Sequence, residues 1–88
     1  MSMLLQDVGI GKNLQRLRKE RGLSQYALIR ELSLRGSNLT RSAYGSIELG
    51  KRNVKVSDLI LLKALYAVSF DEFFRDLVPD DIPELGKL

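Results

Sequence analysis

Neither cysteine nor histidine nor tryptophan occurs in this chain of 88 residues, and proline occurs only twice. Without cysteine there are no disulfides and no thiolate metal sites, which fits a protein of a reducing cytosol. Without histidine the commonest general base and the commonest metal ligand are both missing, which weighs against a hydrolase or a metalloenzyme. Asp, Glu, Lys, Ser and Tyr remain, and no two carboxylates fall together in an expected apolar pocket, so neither an enzyme nor a cofactor is expected. No apolar run approaches the ~20 residues of a membrane span, and the opening MSMLLQDVGIGK has neither a charged front nor an apolar stretch long enough for a signal peptide. A cytoplasmic protein that makes no use of a membrane is expected. Aromatic residues make up 7% of the chain, so the core must be built from aliphatic side chains, and the Leu-rich, Pro-poor composition favours helices. The fold class expected is all-α, in one small domain that buries roughly 60% of its unfolded surface.

The formal net charge of +3 conceals an asymmetry. Up to Val56 eleven Lys and Arg stand against four Asp and Glu, whereas from Ser57 onward three basic residues stand against seven acidic ones. That division suits a domain with one side facing a polyanion and another kept off it, although charges that merely solvate helix faces give the same count.

There is no internal repeat and no low-complexity tract. Ile10, Leu14 and Leu17 recur at helical spacing and predict a first helix over residues 9–21, ended by Gly22. Ser24 is a good N-cap for a second helix through Gln25, Leu28, Ile29 and Leu32, ending near Leu34. The turn RGSN follows, with Gly36 and Asn38 as residues that tolerate positive φ. Thr40 caps a third helix in which Tyr44 and Ile47, with Leu39 before the cap, pack inward while Arg41, Ser42, Gly45 and Ser46 point elsewhere. Gly50 ends it, and KRN begins an exposed loop. Ser57 is expected to cap a fourth helix carrying Asp58 in its first turn and Leu59, Leu62, Leu65 and Tyr66 on its apolar face. SFDE, residues 69–72, reads as a capping box for a fifth helix with Phe70, Phe73, Phe74 and Leu77, stopped by Pro79. The domain is thus placed at residues 9–78, between an extension at 1–8 and a tail at 79–88.

Two short helices joined by a Gly-bearing turn, the second with small polar side chains beside a capped start, form the pattern that places a helix end in the DNA major groove. Thr, Ser, Ala and Gly let the backbone approach, which leaves Arg41 to reach a base edge. The segments IGKNLQRLRKERGLSQ (10–25), LTRSAYGSIELGKR (39–52) and VSDLILLKALYAVSFDEFF (56–74), in that order, resemble the XRE or Cro/repressor-like helix-turn-helix proteins over most of the chain. The resemblance implies a compact five-helix, lambda-repressor-like DNA-binding domain. It puts Gln25 on a phosphate, base or groove contacts on Thr40, Arg41, Ser42 and Ala43 and one turn later on Ser46, and a backbone clamp on Lys51 and Arg52. It also implies a buried ion pair between Arg18 and Glu48. Electrostatics agrees, since Glu48 beside phosphates would need a cationic partner.

Two features depart from the family pattern. Six residues, 33–38, lie between Leu32 and Leu39 where the family commonly has one, so the second helix is longer by a turn or the connection bulges. Gly45 and Ser46 stand where longer polar residues are common, which shifts readout toward Arg41 and DNA shape. Ala43 contacts a thymine methyl or simply fills the helix. Lys12, Arg16 and Lys19 are read as surface charges, and Tyr44 with the phenylalanine cluster as core or dimer contacts.

The function expected is a sequence-specific, DNA-binding transcriptional regulator of the repressor type. It would act on double-stranded DNA as a homodimer formed through the fifth helix and tail, where Phe74, Leu77, Val78 and Ile82 cluster. The alternative is a protein-interaction module on the same scaffold, an antitoxin or anti-repressor subunit whose acidic C-terminal part binds another protein.

Overall fold

The computed structural model describes residues 3–4 and 9–77. Four α-helices follow one another: α1 (Gly11–Glu20), α2 (Gln25–Leu34), α3 (Arg41–Glu48) and α4 (Val56–Tyr66), with a 3-10 turn at Phe70–Phe74. Two short strands, β1 (Met3–Leu4) and β2 (Val54–Lys55), pair antiparallel, with Met3 opposite Lys55 and Leu4 opposite Val54. A ladder this short has no alternating pattern that the sequence could display.

The core draws on every helix. Ile10, Leu14 and Leu17 meet Leu28 and Leu32 of α2, Tyr44 and Ile47 of α3, Leu59, Leu62 and Tyr66 of α4, and Val54 and Phe73. Each fully buried aliphatic or aromatic side chain contributes about 1.5–3 kcal/mol relative to exposure. The two buried phenols satisfy each other, with Tyr44 Oη and Tyr66 Oη 2.9 Å apart, and burial pushes both titrations above the ordinary tyrosine range.

Three local details fix where α3 sits. At Gly11, a Cβ atom would land on the main-chain carbonyl of Glu48, so α1 and the end of α3 touch through backbone and glycine alone. The connection between α2 and α3 is ordered rather than loose. Ser33 and Leu34 continue α2, Gly36 takes a φ of +93°, and the N–H groups of Gly36 and Ser37 return to the carbonyls of Ser33 and Leu32 at 3.1 and 3.0 Å. The Ser37 hydroxyl then donates to Asp58 Oδ1 at 2.8 Å and accepts from the Leu39 N–H at 3.1 Å. The extra residues of the turn are therefore tied to the start of α4.

Two expectations are corrected. The fifth helix is a single 3-10 turn, and its capping box does not form: Ser69 makes no side-chain cap. The carboxylate of Glu72 turns instead toward Arg16 and Arg75, and the buried Asn13 amide holds the turn through the carbonyls of Phe73 and Arg75 at 3.0 and 2.9 Å. A five-residue segment with such tertiary ties has no room for an α-helical ladder. Nor does Ser57 cap α4. The helix begins directly from β2, with Lys55 at the N-cap position and no side-chain cap, and Asp58 faces inward to Ser37. Val78 and residues 79–88, including Ile82, lie outside the described residues, as do most of residues 1–8. Among the described residues no helix is long and apolar enough to cross a membrane.

Candidate nucleic-acid interface

Helix α3 presents two unlike sides. Thr40 begins it with an extended backbone, and its Oγ1 accepts from the Ala43 N–H at 3.1 Å, a cap of about 1 kcal/mol. Ala43, Tyr44, Ile47 and Glu48 are buried. On the other side Arg41 and Ser42 are exposed, Gly45 and Ser46 half-buried, and Leu49, just past the helix, is 70% exposed.

The buried side is anchored by charge. Arg18 Nε and Nη2 meet the two carboxylate oxygens of Glu48 at 2.7 and 3.1 Å, and Arg18 Nη1 donates to the Leu23 carbonyl at 2.9 Å. The amide of Gln25 donates to Glu48 Oε1 at 3.1 Å. Burial alone would raise the Glu48 pKa, but the hydrogen bond from Arg18, with those from Tyr44 and Gln25, holds it below the ordinary carboxylate value. The same hydrogen bond raises Arg18, against the opposing effect of burial. Charge and donors are satisfied together, the condition under which a buried ion pair is tolerated.

Beside this anchor lies an open groove. Lys12 and Gln15 of α1 and Gln25 of α2 form one bank; Arg41, Ser42, Gly45, Ser46 and Leu49 form the other. Glu48 is the acid lining it, and its charge is met by Arg18. Of the sequence-predicted residues, Gln25, Arg41, Ser42 and Ser46 converge here. Thr40 and Arg52 line a smaller neighbouring hollow with Asn38 and Lys55, and Lys51 is exposed in the loop after α3. Ala43 lines that same smaller hollow beside Thr40 and Arg52, although its residue is only 8% exposed and most of it packs into the inner side of α3. Gln15 and Leu49, which line the groove, have no role in the sequence reading, and Lys12, read as a surface charge with DNA contact as the lesser alternative, lines it with them. Lys12 and Gln15 are three apart on one face of α1, a signal that the sequence carried.

Two short helices with the second projecting small polar groups and a guanidinium beside a polar groove define a helix-turn-helix domain. A family model for the helix-turn-helix matches residues 14–73. The chain is also 35% identical, over 71 residues covering 80% of it and 89% of the relative, to Control protein C.MunI of Mycoplasma sp. No solved structure gives a significant match. The chain belongs to the XRE or Cro/repressor-like helix-turn-helix family and is a DNA-binding transcriptional regulator.

Proposed function

We propose that the protein recognises a particular duplex sequence by setting the outer side of α3 into the major groove and that it represses by occupying that site. The observation that carries this reading is the pairing of an unpartnered Arg41 at the first position of α3 with a small-faced turn of Ser42, Gly45 and Ser46. Among the described residues Arg41 has no ion pair. Its fork can therefore donate to the O6 and N7 acceptors of a guanine, a contact worth about 1–3 kcal/mol of discrimination. Ser42 and Ser46 add short donors, and Leu49 offers an apolar contact for a thymine methyl. Gln25 gives one amide proton to Glu48 and keeps the other for a phosphate, so that the strand is registered against the same ion pair that fixes α3. The Thr40 hydroxyl proton and the cations of Lys51 and Arg52 serve the flanking backbone.

One such domain reads few base pairs, and we propose a homodimer on an inverted repeat with half-sites about one helical turn apart. Ile60, Phe70 and Phe74 are exposed apolar residues of α4 and the 3-10 turn, on the acidic part of the chain, and support a dimer surface there. Likeness to a protein named as a control protein supports the regulatory role. Selection of bound sites from a random duplex pool tests the whole reading: a symmetric motif is expected, and recovery of no motif overturns it.

A further inference from the structure

The arginines of this chain divide by partner. Arg16, Arg18, Arg35 and Arg75 each face a glutamate. Among the described residues Arg30 and Arg41 face none, yet both line one open hollow between α2 and α3, whose remaining lining is Tyr26, Ile29 and Ser33. Two guanidiniums therefore share a hollow with no acid in its lining. Tyr26, 75% exposed, and Ser33 bring a phenol and a hydroxyl to the same place. Tyr26, Ile29, Arg30 and Ser33 recur at helical spacing along α2, so one face of that helix builds the hollow while Arg41 closes it from α3.

We infer that this hollow is a second phosphate site, which seats the sugar–phosphate backbone of duplex DNA along the outer face of α2. The inference rests on the reading of α3 given above. Arg41 lines this hollow and the main groove alike, so a strand seated here borders the groove that α3 enters. Arg30 supplies the charge, the two hydroxyls donate to phosphate oxygens, and Ile29 with the ring of Tyr26 lies under the apolar edge of a deoxyribose. An isolated phosphate ion in so open a site would gain little, because exposed charge pairs in water are weak. A polymer held nearby by α3 pays no such separate association cost. The site is distinct from the contact at Gln25, which lies at the start of α2 and faces the main groove. It lengthens the footprint without adding base readout.

The test is equilibrium binding of the full chain to its selected duplex and to a scrambled duplex, between 50 and 200 mM salt, for wild type, Arg30→Gln and Arg30→Lys. Loss of one phosphate contact lowers the slope of log affinity against log salt by about 0.9. Wild type should thus lose roughly 3-fold more affinity than Arg30→Gln across that range, equally on both duplexes. Arg30→Lys should keep the wild-type slope, and thermal midpoints should not move, since Arg30 is exposed. Methylphosphonate substitution, one phosphate at a time, should find a position that weakens wild type and leaves Arg30→Gln unaffected. An unchanged slope in Arg30→Gln, on a duplex that wild type binds with sequence preference, overturns the second site and leaves the α3 reading standing. Absence of any sequence preference in wild type would remove both. Displacement of wild type from DNA, and not of Arg30→Gln, by inorganic phosphate at constant ionic strength would overturn the backbone assignment in favour of a free-phosphate site.

Discussion

Arg18 and Arg41 are the same residue put to opposite uses on the two sides of α3. Arg18 is buried and engaged by Glu48 and the Leu23 carbonyl; Arg41 is exposed and, among the described residues, makes no ion pair. The difference is one of solvent and partner. A guanidinium taken out of water must find all its acceptors in the protein, and so it orients helices, whereas one left in water beside a small-faced helix keeps its donors for an incoming anion. The inner side of α3 therefore sets stability, and the outer side is the one we propose sets affinity for DNA.

Breaking the inner side should have the largest effect. Arg18→Ala leaves the Glu48 carboxylate buried without its main partner, and a loss of about 3–5 kcal/mol in denaturant unfolding is expected. The pH dependence follows from the same group. Because the folded pKa of Glu48 lies below the ordinary value of 4.5, its contribution is present above that value and is lost as pH falls further through the folded pKa. Wild type should weaken on acidification below about pH 4.5 more steeply than Glu48→Gln, as read from unfolding midpoints.

Gly11→Ala strikes the same side through the backbone. The added methyl meets the Glu48 carbonyl, and a cost of about 1–3 kcal/mol in unfolding free energy is expected. Arg41→Ala, on the outer side, should cost about 1–3 kcal/mol in DNA affinity while stability stays within about 0.5 kcal/mol of wild type. Ser37→Ala removes the hydroxyl that ties the α2–α3 turn to Asp58. It should lower stability by about 1 kcal/mol, and it sharpens the comparison by loosening the start of α3 without touching either side.

The features legible in the sequence were those decided locally. Ser24 and Thr40 cap α2 and α3 as their residue type and position indicate, because a cap needs only a side-chain oxygen and an N–H three residues on. The terminating roles of Gly22, Gly36 and Gly50, all at positive φ, were readable for the same reason. The Arg18–Glu48 pair was readable only through the family resemblance, since nothing in the spacing of two residues thirty apart announces a contact. Where local signal and tertiary demand competed, the local reading failed. Ser57 looks like a cap, but β2 leads straight into α4; Ser69 and Glu72 look like a capping box, but Arg16 and Arg75 claim the carboxylate. Gly11 gave no sign of its role, because the carbonyl that forbids a side chain there comes from Glu48, distant in sequence. Ala43 allows two roles, a thymine-methyl contact or a helix filler, because residue type alone does not set exposure, and in the fold it is buried at the edge of a hollow. Gln15 shares a face of α1 with Lys12, three residues earlier, but Leu49 lies across the groove from them through the crossing of α1 and α3, a relation that no single segment encodes.

The division of labour across α3 is tested most directly by selecting bound sites from a random duplex pool with wild type and with Arg41→Ala in parallel. The prediction is that both proteins recover a motif with the same symmetry and half-site spacing, and that Arg41→Ala loses its preference at one position of each half-site. An Arg41→Ala motif identical to the wild-type motif at every position, recovered with equal affinity, would contradict the assignment of base recognition to the outer side of α3.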